Sequence, residues 1–408
     1  MEGRSLCVAA VQMCSVVGDV EGNLRRAECG LARAAQEGAA LALLPDLFAC
    51  GSAASPALSW ESAEPFDGPT RRRVRVLAAQ HQLYVGFTFL EARPDAHVFN
   101  TFVLVSPDGK EWTCRKTKPV ATEAFIFASA PFESILKTPI GTFGVQICHE
   151  SLLRQHQAEM LLGAQHLPNG GIDLDLLLLP FSVASPPPGL GWSAQQAASF
   201  DDLVISTATR QAQLFSVPVV AAHKVGPAAP ASVVLPLTFW VPTAAVFPGH
   251  SSVCSGRGVV LAECGGADPG VAVARVRLGS AEHLSDDGSP LSASHSTPSK
   301  AARRLVELGG GGAQPYSCDL PAPLPLVWAY VVEPVGWLSY HLSRARRRAA
   351  IRALTRALGS AGQPPTRPGS LGTLDLRALA VWEALLVLCG TGLLASCALC
   401  LAGGRARR

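Results

Sequence analysis

The chain has 408 residues, 48% apolar and 16% charged, which excludes an intrinsically disordered protein and leaves material for one large core with appendages. A net charge of +3 is too small for a nucleic-acid-binding surface. Twelve cysteines lie without framework spacing, and Leu6 to Met13 reads as a core strand rather than a secretory leader. Free thiols in a reducing compartment are therefore expected.

Residues 6–13 alternate and carry β-branched residues, which predicts a strand. Asp19 can cap a helix running to about Glu37, with Leu24, Ala27, Leu31 and Ala34 on one face. Leu41 to Leu44 is a buried strand stopped by Pro45, which puts Asp46 at its carboxyl end. A helix over about Thr70–His81 leads into strands at Leu83–Phe89 and Phe99–Val105, then a turn at Pro107-Asp108-Gly109 and a return at Glu111–Arg115. A polar loop, Arg115 to Glu123, follows.

Phe143 to Ile147 predicts a short strand, with helical spacing from about Glu150, so Cys148 falls on the bend between them. The free N–H groups of a helix start there would favour a thiolate. Leu174–Leu179 and Val217–Ala222 read as further strands, with a helix from Ala194 to Phe215 between them. Ser251 to Arg277 reads as a closing strand pair. Strands and helices alternate to about residue 280, the pattern of an α/β domain.

Past Gly279 the composition turns to Ser, Pro, Gly and Asp, and residues 281–325 are expected to be a flexible linker. Residues 326–360 run from apolar to basic, with Arg344, Arg346, Arg347, Arg348, Arg352 and Arg356 on a helix-like stretch. Such a stretch is either a solvated basic face or an interfacial membrane helix beside Trp328 and Trp337. Ala384 to Ala402 carries no charge over nineteen residues, and residues 379–402 are expected to span a membrane. Cys397 and Cys400 lie in that run, which favours membrane burial or lipidation over metal binding.

Three distant stretches can carry chemistry together: Asp46 at a strand end, Lys116 and Glu123 in a basic loop, and Cys148 on a bend. Taken alone, each has an ordinary structural explanation: a turn aspartate, a solvated loop, a surface carboxylate, a buried cysteine. Their order tips the balance. Leu43-Leu-Pro-Asp-Leu-Phe48, Arg115-Lys-Thr-Lys-Pro119 with Glu123, and Cys148-His-Glu150 resemble the nitrilase superfamily of carbon–nitrogen hydrolases, most closely the nitrilase branch. Gly18 to Asn23, Phe99-Asn100-Thr101, Ser106 to Gly109, Val217 to Ala222 and Phe247 to Ser251 fall in family order, so the resemblance covers about Leu6 to Leu278.

The resemblance implies an α-β-β-α sandwich over residues 1–280, and at least a homodimer. It also implies a catalytic set with Cys148 as nucleophile, Lys116 as cation, Asp46 as base, and Glu123 positioning substrate, with no metal or organic cofactor. His149 stands where an aromatic residue is usual and is expected to assist as a proton donor. Asp46 stands where the family has Glu. The expected function is a tail-anchored, cytosol-facing hydrolase of a small nitrile or amide, at the endoplasmic reticulum or outer mitochondrial membrane. The alternative is a pseudoenzyme acting in binding or assembly there.

Overall fold

Alternation along single strands builds the fold. The computed structural model describes residues 4–52, 56–119, 121–164, 173–185, 193–228, 245–279 and 333–360. In chain order its strands are β1 (Ser5–Gln12), β2 (Leu41–Leu43), β3 (Tyr84–Ala92), β4 (Val98–Val105), β5 (Glu111–Arg115), β6 (Ile135–Thr138), β7 (Gly141–Val145), β8 (Leu176–Pro180), β9 (Val219–Ala222), β10 (Val225–Pro227), β11 (Val246–Pro248), β12 (Ser252–Cys254), β13 (Val260–Glu263) and β14 (Gly270–Arg277). The helices are α1 (Val20–Gln36), α2 (Pro56–Glu61), α3 (Pro69–His81), α4 (Arg154–Gly163), α5 (Ala194–Ile205), α6 (Thr207–Phe215), α7 (Glu333–Leu342) and α8 (Arg344–Ser360).

Two six-stranded sheets form, in the orders β14-β1-β2-β3-β4-β5 and β13-β12-β9-β8-β7-β6. β1, β2 and β3 are parallel to one another, as are β7, β8 and β9. Successive side chains on a strand point to opposite faces. Thus Val8, Ala10, Leu41 and Leu43 enter a core shared with Phe143 and Val145 of the second sheet. Their neighbours Ala9, Val11, Ala42 and Leu44 meet Leu24 and Leu31 of α1 and Val74 and Leu77 of α3. Met160 of α4 and Ala212 and Phe215 of α6 cover the far side of the second sheet. The layers run helix, sheet, sheet, helix, as the family resemblance implies.

Several elements depart from the sequence expectation. The helix expected over 194–215 is two, α5 and α6, meeting at Ser206, where the Thr207 hydroxyl bonds back to Leu203 O at 2.8 Å. The closing pair of strands is three, β12 to β14, and α2, β6, β10 and β11 were too short to announce themselves by period.

Among the described residues no helix is long and apolar enough to cross a membrane; the expected span at 379–402 and the linker at 281–325 lie outside them. The basic segment is helical and packs on the domain: Tyr340 and Arg347 are buried, while Arg344, Arg348, Arg352 and Arg356 are exposed.

Candidate active site

Asp46 and Cys148 occupy equivalent places, each three residues past the end of a central parallel strand, β2 and β7. Carboxyl ends of such strands are where α/β folds collect their chemistry. The Asp46 amide donates to Phe181 O at 3.2 Å, which ties the end of the first sheet to the residue after β8 in the second. Across this seam a carboxylate oxygen of Asp46, one of Glu123 and the Cys148 sulfur all lie within 4.8 Å of one another.

The cation for these groups is Lys116. It follows β5, where its amide bonds to Asn100 O at 2.9 Å, and its side chain is fully buried. Its Nζ donates to Glu123 Oε1 at 2.7 Å. Burial alone would push the ammonium pKa down, but Glu123, Cys148, Asp46 and Glu150 together hold it above the usual lysine range. Lys116 therefore remains charged. A charge this deep costs several kcal/mol unless it is paired, and Glu123 is the pairing.

Among the described residues, the hydrogen bonds to the Asp46 carboxylate fall on one oxygen. Oδ1 accepts from Thr88 Oγ1 at 2.7 Å and Asn100 Nδ2 at 3.0 Å. Leu47, next in sequence, adopts a positive φ of 48°, a conformation disfavoured for a branched side chain. Its amide donates to Thr88 Oγ1 at 2.6 Å and its carbonyl accepts from Lys224 Nζ at 3.2 Å.

Cys148 also has a positive φ, 56°, and opens a 3-10 turn, Cys148–Leu152, before α4 begins at Arg154. Here the sequence expectation needs correcting. The α-helix begins six residues beyond the thiol, and burial outweighs what favours the thiolate. Burial pushes it up to about 12, with Asp46 and Glu123 adding to that and Lys116 and the Ser182 backbone opposing it. The resting group is a thiol that needs a base. His149 is buried as well, and burial with Lys116 nearby brings it down to about 4. It is therefore a neutral imidazole.

Two contributors were not singled out from the sequence. Glu150 is fully buried; Oε1 accepts the Thr117 amide and hydroxyl, each at 2.7 Å, and Oε2 accepts the Ile147 amide at 2.8 Å. It clasps the Lys116 loop to the Cys148 bend. The Cys-x-Glu spacing was the available signal. Lys224 is buried two residues past β9 and donates to Ser52 Oγ at 3.1 Å, beside the Ser52–Ser182 hydroxyl pair. Burial lowers it to about 8 against the pull of Asp46 and Cys50. A cation following an apolar strand was its only mark.

A two-sheet sandwich with a thiol, two carboxylates and an ammonium at the strand ends defines a class of hydrolase. The Carbon-nitrogen hydrolase family matches residues 7–285, more than half of the chain, and the chain belongs to that family. No curated protein sequence matches significantly. Among solved structures, a carbon-nitrogen hydrolase from Helicobacter pylori superposes with TM-score 0.57 at 17% identity, over 68% of this chain and 90% of that one. A cysteine-to-alanine variant of a Nesterenkonia amidase from the nitrilase superfamily gives TM-score 0.53 at 18% identity, over 68% and 92%. A doubly substituted form of that amidase in complex with acrylamide gives 0.52 at 20%, over 67% and 92%. At these identities the likeness is one of fold.

Proposed function

We propose that the chain hydrolyses a non-peptide carbon–nitrogen bond of a small amide, or of a nitrile, through a covalent intermediate on Cys148. The observation that carries this is the cluster itself: Asp46, Glu123 and Cys148 within 4.8 Å, with Lys116 bonded to Glu123. Asp46 takes the thiol proton as sulfur bonds to the amide carbon. Lys116, with the His149 N–H, stabilises charge growing on the oxygen. Asp46 returns the proton to the departing nitrogen, the carbon–nitrogen bond breaks, and an amine or ammonia leaves. Water, giving a proton to Asp46, then attacks the thioester; the acid departs and the proton returns to sulfur. For a nitrile the first adduct is a thioimidate and the ammonium faces nitrogen. Glu123 holds Lys116 and orients the substrate nitrogen.

Amides are favoured as first candidates because the similar Nesterenkonia structures are of an amidase; its glutamate-to-glutamine variant shows covalent addition of the acetamide moiety of fluoroacetamide at the active-site cysteine. The test is ammonia release by the full-length protein across short amides and nitriles, with Cys148→Ala as control and intact mass to catch the adduct. Turnover and an adduct, both lost in Cys148→Ala, support the proposal. Neither product nor adduct would favour the second reading, a binding or assembly module. Only the short base favours that module, and the Asp46 carboxylate stands within 4.8 Å of the sulfur it must serve.

The tethering part of the proposal rests on the uncharged run Ala384 to Ala402. Residues 379–402 would anchor the chain by its tail, with the hydrolase domain in the cytosol at the endoplasmic reticulum or outer mitochondrial membrane. Protease added to sealed microsomes or mitochondria should then digest residues 1–280; protection would reverse the orientation. A homodimer or higher assembly is proposed from family resemblance, and light scattering of the detergent-solubilised protein would reveal a monomer if it is wrong.

A further inference from the structure

Residues 333–360 lie beyond the stretch matched by the family, 7–285, yet they reach the candidate site. α7 packs along the 3-10 turn Ala121–Phe125, which carries Glu123. Tyr340 of α7 is 2% exposed and sits in a cluster with Leu47, Cys50, Trp60, Ile126 and Phe127. Those neighbours are continuous with the chemistry. Leu47 follows Asp46. The Ile126 and Phe127 amides both donate to Glu123 O, at 2.8 and 3.1 Å, and the Phe127 ring lies 5.8 Å from Lys116 Nζ. Trp60 Nε1 donates to Ile126 O at 2.7 Å.

Tyr340 is itself fixed. Its hydroxyl accepts the Val98 amide at 2.9 Å. The Arg347 guanidinium lies 3.4 Å from its ring centre and 5.5 Å from that of Trp60. Arg347 also donates through Nε to Ala96 O at 3.0 Å and through Nη1 to Tyr340 O. A single 3-10 turn has little stability of its own. Glu123 keeps its place against Lys116 only if something outside the turn packs on it, and Tyr340 is placed to do so.

We propose that the C-terminal helical arm is part of the catalytic apparatus, with Tyr340 a positioning residue that holds the Glu123 turn against Lys116 and Arg347 the clamp that holds Tyr340. The proposal rests on the hydrolase reading for its turnover readout, but not for its thiol readout. Glu123 raises the Cys148 thiol, so a displaced turn makes the thiol easier to ionise while turnover falls. A residue that only stabilises the fold cannot split those two quantities.

The test uses full-length protein. Ammonia release is measured per folded molecule, and iodoacetamide labelling of Cys148, followed by peptide mass across pH, reads the thiol. Tyr340→Ala should lower kcat/KM roughly tenfold or more, as a misplaced catalytic group does. Its labelling midpoint should move to lower pH, towards that of Glu123→Gln. Tyr340→Phe, which keeps the ring, should retain most of both properties. Leu31→Ala, which opens a void under the far helix layer, should lower Tm and move neither. If Tyr340→Ala does not fold, Arg347→Met, which removes the clamp and leaves the ring, takes the same two measurements. Folded Tyr340→Ala, or Arg347→Met in its place, indistinguishable from Leu31→Ala in both readouts would overturn the proposal. If the wild type shows no turnover, the proposed function fails, and the labelling midpoint alone decides the role of Tyr340.

Discussion

Thr88 fixes Asp46 through both its carboxylate and its backbone: the hydroxyl donates to Asp46 Oδ1 at 2.7 Å and accepts the next amide, that of Leu47, at 2.6 Å. The carboxylate is thereby set to the length of an aspartate, with its second oxygen left for the thiol. A longer side chain at position 46 must either give up Thr88 or crowd the buried neighbours Lys116 and Cys148. Asp46→Glu should accordingly lower kcat/KM by about tenfold, and Asp46→Asn, which removes the base, by about 100-fold or more. Ammonia release measures both; a faster Asp46→Glu would mean that the Thr88-held geometry is not the reactive one.

Glu150 satisfies three donors, two on half-buried Thr117 and one on buried Ile147, with two oxygens. Glu150→Gln turns one of those oxygens into an amide nitrogen facing a donor, which costs about 1–3 kcal/mol for the orphaned group. Activity should drop by about tenfold to 100-fold and Tm should fall with it, because the Lys116 loop and the Cys148 bend lose their common anchor. Melting curves and rates on the same preparation check this. A normal Tm with normal rates would remove Glu150 from the site.

Lys224 supplies a pH dependence. Burial lowers it to about 8, so its charge disappears as pH rises through that value, weakening its hold on Leu47 O beside the base. Turnover should show an alkaline limb near pH 8, and Lys224→Arg, charged throughout, should move the limb upward. The stability effect has the opposite sign. The folded pKa lies below the unfolded one, so burying the ammonium costs stability below about pH 8, and the cost is relieved as pH rises towards 10.5. An unchanged limb in a folded Lys224→Arg would assign it to another group.

His223 gives the acid counterpart. Stacked on Phe181 at 4.4 Å, it is brought down to about 3, chiefly by burial, from 6.5. The unfolded chain binds this proton first, so its contribution to stability is complete above about pH 6.5 and is lost on acidification towards 3. Every pH unit that separates the folded from the unfolded value is worth ~1.4 kcal/mol. His149, at about 4, adds to the same slope. Tm measured from pH 7 down to 5 should fall, and His223→Phe, which keeps the stacked ring, should make that fall shallower. An equal slope in the variant would place the acid sensitivity elsewhere.

Asp46, Lys116, Glu123 and Cys148 were legible through their order and the family resemblance rather than one by one, since each alone has an ordinary structural explanation, and the folded chain brings all four together. The alternation of Val8 to Val11 and Leu41 to Leu44 between two buried faces is what the structure adds; the sandwich itself was legible through that same resemblance, the residues by themselves indicating an α/β domain. What fixes those groups was not. Thr88 is 42 residues from Asp46, and Tyr340 is 242 from the amide it accepts; no local period encodes such pairings. The state of the thiol was hidden for a related reason. A sequence shows the bend at Cys148, but its ionisation is set by how completely both sheets enclose it, which only the assembled core decides.

That enclosure has a consequence for how the protein comes into being. Asp46 belongs to the first sheet, Cys148 follows a strand of the second, and the Asp46–Phe181 bond crosses between them. The proposed base and nucleophile meet only when the sheets close on their common core, a late event for contacts so far apart in the chain. Until then the two are apart and the thiol lacks the burial that raises it in the folded chain, so a partly folded chain exposes a more readily ionised cysteine without the partner proposed to direct it. The first appearance of a Cys148 that shows the native labelling midpoint during refolding should coincide with the docking of the two sheets.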